Sequence, residues 1–169
     1  MKKEKYLPAH IANYFLWKAD NEKCVDMTPI KLIKLVYLAY AWNLAIYNKK
    51  LFNEKIELWK YGPVIPSLYH EFKIFRNSKI NQYAKDIDLN TGQISYPIIN
   101  QEDEQTAQIL RVIWKVYKNY DGWTLSQITN QGDTYCNCSY DQSDKILMRD
   151  DKIIERANNE ILKRSQGGK

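Results

Sequence analysis

The chain has 169 residues, 44% of them hydrophobic and 13% aromatic, and its 25 basic against 20 acidic side chains leave a net charge of +5. That length suits one domain with a sizeable core and is short for two, and the apolar content excludes disorder. So mild a basic excess does not argue for nucleic acid and fits a soluble protein kept apart by its charge.

Met1 to Pro8 is positively charged but lacks an apolar run of signal-peptide length, and Asn13 interrupts Ile11 to Trp17, so no secretion signal is expected. Pro8 opens a first helix lasting to about Asp20, with Ile11, Tyr14, Phe15 and Lys18 at helical spacing. Cys24 belongs to a polar loop, Asn21 to Met27, that leads to the stretch around which the rest is arranged. Thr28-Pro29 reads as a helix start, the threonine oxygen free to take orphan amide protons and the proline suited to the first helical position. From Ile30 to Ile46 only Lys31, Lys34 and Asn43 are firmly polar, and a helix apolar on nearly all sides is expected to be buried on nearly all sides. It looks too short and too interrupted for a membrane span, which needs about 20 apolar residues. Lys31 and Lys34 are expected to lay their stems along the helix and reach water with their ammonium groups.

Leu51 to Trp59 reads as loop or extended chain, and Lys60-Tyr61-Gly62-Pro63-Val64-Ile65-Pro66 as a rigid corner. A third helix is expected from about Ser67 to Asn77, burying Leu68, Phe72 and Phe75. Alternation on both sides of Asn90-Thr91-Gly92 predicts a small β-hairpin from about Ile87 to Tyr96, with Pro97 marking where pairing stops. Two strands are marginal alone and must lean on the helices. Acidic Glu102, Asp103 and Glu104 suit a helix N-terminus, and Thr106, Ile109, Leu110, Ile113, Val116, Tyr117 and Tyr120 form one stripe of a long helix ended by Asp121-Gly122. Trp123 to Thr129 predicts a short helix, Asn130 to Asp144 a polar loop, and Asp150 to about Arg164 a last amphipathic helix burying Ile153, Ile154, Ala157 and Ile161. Ser165 to Lys169 should fray. The expectation is a mainly α (α+β) domain spanning 1–169 with its core at about 8–162. It is a compact helical body around a central buried helix, with one small hairpin.

Chemistry-bearing patterns are sparse. The three cysteines, Cys24, Cys136 and Cys138, are an odd number without framework spacing, which suits a reducing cytoplasm. Cys136-x-Cys138 lacks the further ligands that a tetrahedral metal shell needs, so no metal and no cofactor are expected. Asp133 and Asp141 give the wrong sign for a cysteine nucleophile, and a lone His70 on an amphipathic helix reads as a surface residue. No phosphate loop, dinucleotide glycine pattern, metalloprotease helix or serine elbow is present. The residues therefore point to a binding domain rather than an enzyme. The candidate partner contacts are Trp59 and Tyr61 in the rigid corner, and Asn130, Asp133 and Tyr135 in the loop after the short helix.

The order Thr-Pro-x-Lys-Leu-x-Lys-Leu-x-Tyr, an apolar run, then Trp-Lys-Tyr-Gly-Pro-Val-x-Pro resembles the Panacea domain, the SocA-like antitoxin family also described as phage-associated proteins. The matching positions are Thr28, Pro29, Lys31, Leu32, Lys34, Leu35, Tyr37, Trp59, Lys60, Tyr61, Gly62, Pro63, Val64 and Pro66. The resemblance implies an antitoxin of a prophage-linked pair that neutralises a partner toxin by direct contact in the bacterial cytoplasm. Two alternatives stay open: an adaptor that delivers its partner to a bacterial protease, and a phage-encoded enzyme marked by a pocket joining His70, Asn130 and Asp133 or Cys136. Later in the chain Leu125-Ser126-x-x-Thr129-Asn130 follows the family, but its usual Pro-Trp pair falls on Thr134-Tyr135, which implies a different partner or an altered function.

Overall fold

The computed structural model describes residues 6–23, 26–100, 102–130 and 146–167. Its helices are α1 (Pro8–Glu22), α2 (Pro29–Tyr47), α3 (Pro66–Phe72, continued by a 3-10 turn over Lys73–Phe75), α4 (Glu104–Tyr117), α5 (Gly122–Asn130) and α6 (Asp150–Gln166). Its strands are β1 (Glu57–Trp59), β2 (Gly62–Val64), β3 (Asp86–Ile87), β4 (Ile94–Ser95) and β5 (Ile146–Leu147). The mainly α expectation with minor β holds.

Helix α2 is the axis of the molecule. Fifteen of its nineteen residues are buried, so the helix has no solvent face and α1, α4, α5 and α6 close round it. By length and composition it could cross a membrane, contrary to its reading as too short, yet 78% of its apolar window is buried within the protein. The other helices supply that cover. Thr28 is the N-cap by position, but its side chain makes no capping bond; its carbonyl instead accepts from Leu32 N at 3.0 Å. Asn48 ends α2 in the left-handed conformation, its N–H donating to Leu44 O.

The strands depart from the one-hairpin expectation. Besides the foreseen β3–β4 hairpin, β2, β1 and β5 form an antiparallel three-stranded sheet in that order. Strands of two and three residues are too short to carry a readable alternation, and β5 joins from far along the chain. The β3–β4 hairpin leans on α1 through Asn13, whose buried amide bonds both legs: it donates to Ala84 O at 3.0 Å and Pro97 O at 2.9 Å, and accepts from Ala84 N at 2.7 Å. The polar residue that interrupts the apolar run of Ile11 to Trp17 is thus the hairpin's anchor.

Three element ends also differ. Helix α3 stops at Phe72, and the chain leaves the 3-10 turn at Arg76 in a left-handed conformation, so Asn77 is not helical and Phe75 is half-buried. Helix α4 ends at Tyr117, and Gly122, read as its terminator, opens α5, with Asp121 Oδ1 accepting from Thr124 N at 2.7 Å. At the other end α6 runs on through Ser165 and Gln166, its last turn favoured by Lys163 and Arg164 beside the exposed carbonyls. There the expected fraying does not occur.

Candidate protein-binding site

The segment read as a rigid corner is a β-hairpin. Glu57 pairs with Val64, Leu58 with Pro63 and Trp59 with Gly62, leaving Lys60 and Tyr61 as the two-residue loop. Gly62 sits at φ 92, a left-handed region where side chains are strained. A Cβ there would also lie 3.2 Å from Lys34 Nζ and 3.3 Å from Thr129 Oγ1. Gly62→Ala should therefore destabilise the fold by roughly 1–3 kcal/mol, read as a lower urea midpoint with an unchanged slope.

Lys34 holds this corner and Lys31 the end of α4, and here the expectation for their side chains is overturned. Lys34 is 1% exposed and Lys31 5%, so neither ammonium reaches water. Lys34 Nζ donates to Pro63 O at 2.9 Å, tying β2 to α2, and Lys31 Nζ donates to Lys118 O at 2.5 Å, just past the end of α4. Both sit in a helix that is enclosed all round, so a stem long enough to reach water has none within reach. Desolvation, helped by the Arg156 guanidinium nearby, pulls the Lys34 ammonium down to about 7; burial lowers Lys31 as well, opposed by Asp121 and Asp26. Helix α5 completes the frame. Ser126 Oγ donates to Tyr61 O at 2.5 Å, and Gly122 allows the helix start so close to α2 that a Cβ would fall 2.3 Å from Ile30 Cγ2.

The frame presents aromatic surface. Tyr61 is 44% exposed and Trp123, at the start of α5, 57% exposed; their rings meet edge to face with centroids 5.9 Å apart. Lys60 Nζ lies 5.2 Å from the Tyr61 ring centre. Trp59 instead is half-buried against the core, its indole donating to Glu57 Oε2 at 2.7 Å and its ring edge-on to Tyr69 at 4.8 Å. Of the two corner aromatics named as candidate contacts, Tyr61 stands outside and Trp59 is half-buried. Asn130, the last residue of α5, is half-buried beside Gly62, its Cβ 3.4 Å from where a Cβ on that glycine would stand. The structure thus brings Trp59, Tyr61 and Asn130 to one corner. Asp133 and Tyr135 lie outside the described residues, as do Thr134 and the three cysteines, Cys24, Cys136 and Cys138.

Residues 32–135 match the family described as Antitoxin SocA-like, Panacea domain. The chain belongs to this family. The matched residues are more than half of the 169 and contain the hairpin, α5's Trp123 and Ser126, and Lys34; Thr28, Pro29 and Lys31 stand just ahead of them. No curated protein and no solved structure matches the chain. Membership gives the Panacea domain an antitoxin-like character, which suggests a protein as its partner in general terms and a role other than catalysis. His70, named in the enzymatic alternative, is exposed on α3 and lines neither the cleft between α2, α5 and α6 nor the small one beside Asn43. The motif now has a physical content. Its Lys34 ties the hairpin to α2 through the Pro63 carbonyl, its Gly62 takes the left-handed position after the loop, and its Tyr61 is the part left outside. In the sequence Trp123 reads only as the start of a short helix and Ser126 only as following the family, and neither is marked there as part of the site.

Proposed function

We propose that this Panacea domain is an antitoxin that neutralises a toxic partner protein by direct contact, with the Tyr61–Trp123 corner at the centre of the interface. The observation that carries this reading is the corner itself: two large exposed aromatics on a backbone held by Lys34, Ser126 and Gly122. Tyrosine and tryptophan dominate interface hot spots, and rigid presentation lowers the entropy lost on binding. Asn130 stands at the same corner, and Asp133 and Tyr135 remain candidate contacts of this proposal. A prophage-linked gene pair and a cytoplasmic site of action belong to the same proposal.

The test co-expresses the chain with the product of the adjacent reading frame in a growth assay and follows it by pull-down. Wild type should restore growth and form a complex. Tyr61→Ala and Trp123→Ala should each weaken that complex by about 1–2 kcal/mol, roughly 5- to 30-fold, with the thermal midpoint nearly unchanged. A complex of wild-type strength in both variants would move the interface elsewhere. A toxic neighbour that is neither bound nor neutralised would end the antitoxin reading.

A further inference from the structure

The β3–β4 hairpin turns its apolar side chains away from its own chain. Ile87 pairs directly with Ile94, so the two share a face. Tyr96 and Ile98 follow Ile94 at two-residue steps, both exposed, with Pro97 buried between them. That alternation sets them on the side of Ile94, and Leu89 stands exposed in the adjoining turn. All five are between 53% and 94% exposed, and none packs against the core. The hairpin is instead fixed at its base, by Asn13 on Ala84 and Pro97 and by Lys85 N donating to Glu71 Oε1 at 3.2 Å. Two strands are marginal alone, and an apolar sheet face is stable under a covering layer.

Size and charge narrow what that layer is. Together the five residues expose on the order of 600 Å2, the upper end for the largest apolar patch of a monomer. Two such faces laid together bury on the order of 1,200 Å2, where stable interfaces begin. The hairpin's carboxylates are kept off this face. Asp86 pairs with Ser95 on the opposite side, and the Asp88 carboxylate accepts from Asn90 N at 2.8 Å and Thr91 N at 3.2 Å within the turn. In a chain of net charge +5, copies repel where their charges meet, and this face carries none of its own to oppose self-contact. Interfaces between separable unlike partners are about as polar as ordinary surface, whereas those of homodimers are more apolar. We propose that this face docks against the same face of a second copy, the two hairpins packing about a twofold axis. The surface is separate from the antitoxin reading, since neither Tyr61 nor Trp123 belongs to the hairpin.

The test measures the mass of the purified full chain by sedimentation from about 1 to about 200 μM, with thermal unfolding over the same range. Wild type should pass from monomer to dimer, and its thermal midpoint should rise with concentration. Ile94→Lys sets a charge within the paired face and should raise the dissociation constant at least tenfold. Ile98→Glu, outside the paired strands, should do the same. Both should keep the wild-type circular dichroism, because neither side chain belongs to the core. Tyr61→Ala and Trp123→Ala should dimerise as wild type does. The proposal is overturned by a wild type that stays monomeric throughout, or by a dimer that persists in both hairpin variants. It is also overturned if the corner variants lose the dimer instead. A monomeric wild type whose hairpin variants no longer bind the product of the adjacent reading frame would give the face to that partner.

Discussion

Stability of this domain should rise by about 3 kcal/mol between pH 7 and pH 9.5, and Lys34→Met should remove most of that rise. In the folded chain the Lys34 ammonium is held at about 7 against an ordinary 10.5, because its burial and the neighbouring Arg156 disfavour the charge. The unfolded chain therefore binds one more proton than the folded chain across this window, and stability must increase with pH. The full difference corresponds to roughly 3–5 kcal/mol at about 1.4 kcal/mol per pH unit, of which the interval up to pH 9.5 recovers the larger part. Lys31, lowered in the same direction, adds a smaller slope that the variant keeps. Above pH 10 the trend reverses, since burial holds the Tyr37 phenol up to about 12 and the unfolded chain loses that proton first. Methionine fills the lysine's space but leaves the Pro63 carbonyl without its donor, at a cost of about 1–3 kcal/mol. The variant should compare best with wild type near pH 6.5 and worst near pH 9.5. Urea unfolding at four pH values decides it: parallel curves for the two proteins would show that Lys34 titrates normally.

Leu35→Ala should cost about 2–5 kcal/mol, because it opens a cavity in the one helix that has no solvent side. Leu35 is fully buried near the middle of α2, between the lysines that tie this helix to its neighbours and the cleft-lining Tyr37 and Leu38. For a domain of this length a loss in that range lowers the thermal midpoint by roughly 5–20 °C. Calorimetry of the purified variant measures it, and a shift below about 2 °C would mean that the site collapses onto the void or that α2 is less enclosed than described.

The central helix was legible because its whole circumference is apolar: Ile30 to Ile46 left no face for water. The starts of α1 and α2 followed from Pro8 and Pro29, and α6 from its apolar stripe. What stayed hidden depends on contacts between distant residues. Nothing local to Lys34 states that Pro63 will sit over it, so a snorkelling side chain was the reasonable expectation from one helix alone. The sheet was missed for the same reason: Leu58 pairs with Ile146 across the greater part of the chain, and two- or three-residue strands leave no periodicity. The candidate site was half legible. Tyr61 and Asn130 were marked, but which aromatic faces outward was decided by the hairpin's register, Trp59 opposite Gly62.

That register has a bearing on how the chain acquires its shape. The β1–β2 pairing joins near neighbours and can form as soon as both strands exist, whereas β5 must cross back over everything from α3 to α5 to reach Glu57 and Leu58. Contacts so remote in sequence lose the most chain entropy on closure and tend to form late. Until they do, β1 carries an open row of amides and carbonyls on the edge that Leu147 and Ile146 will take. The surface that presents Tyr61 is therefore finished only by the last fifth of the polypeptide, and completion of the fold and completion of that surface are a single late event.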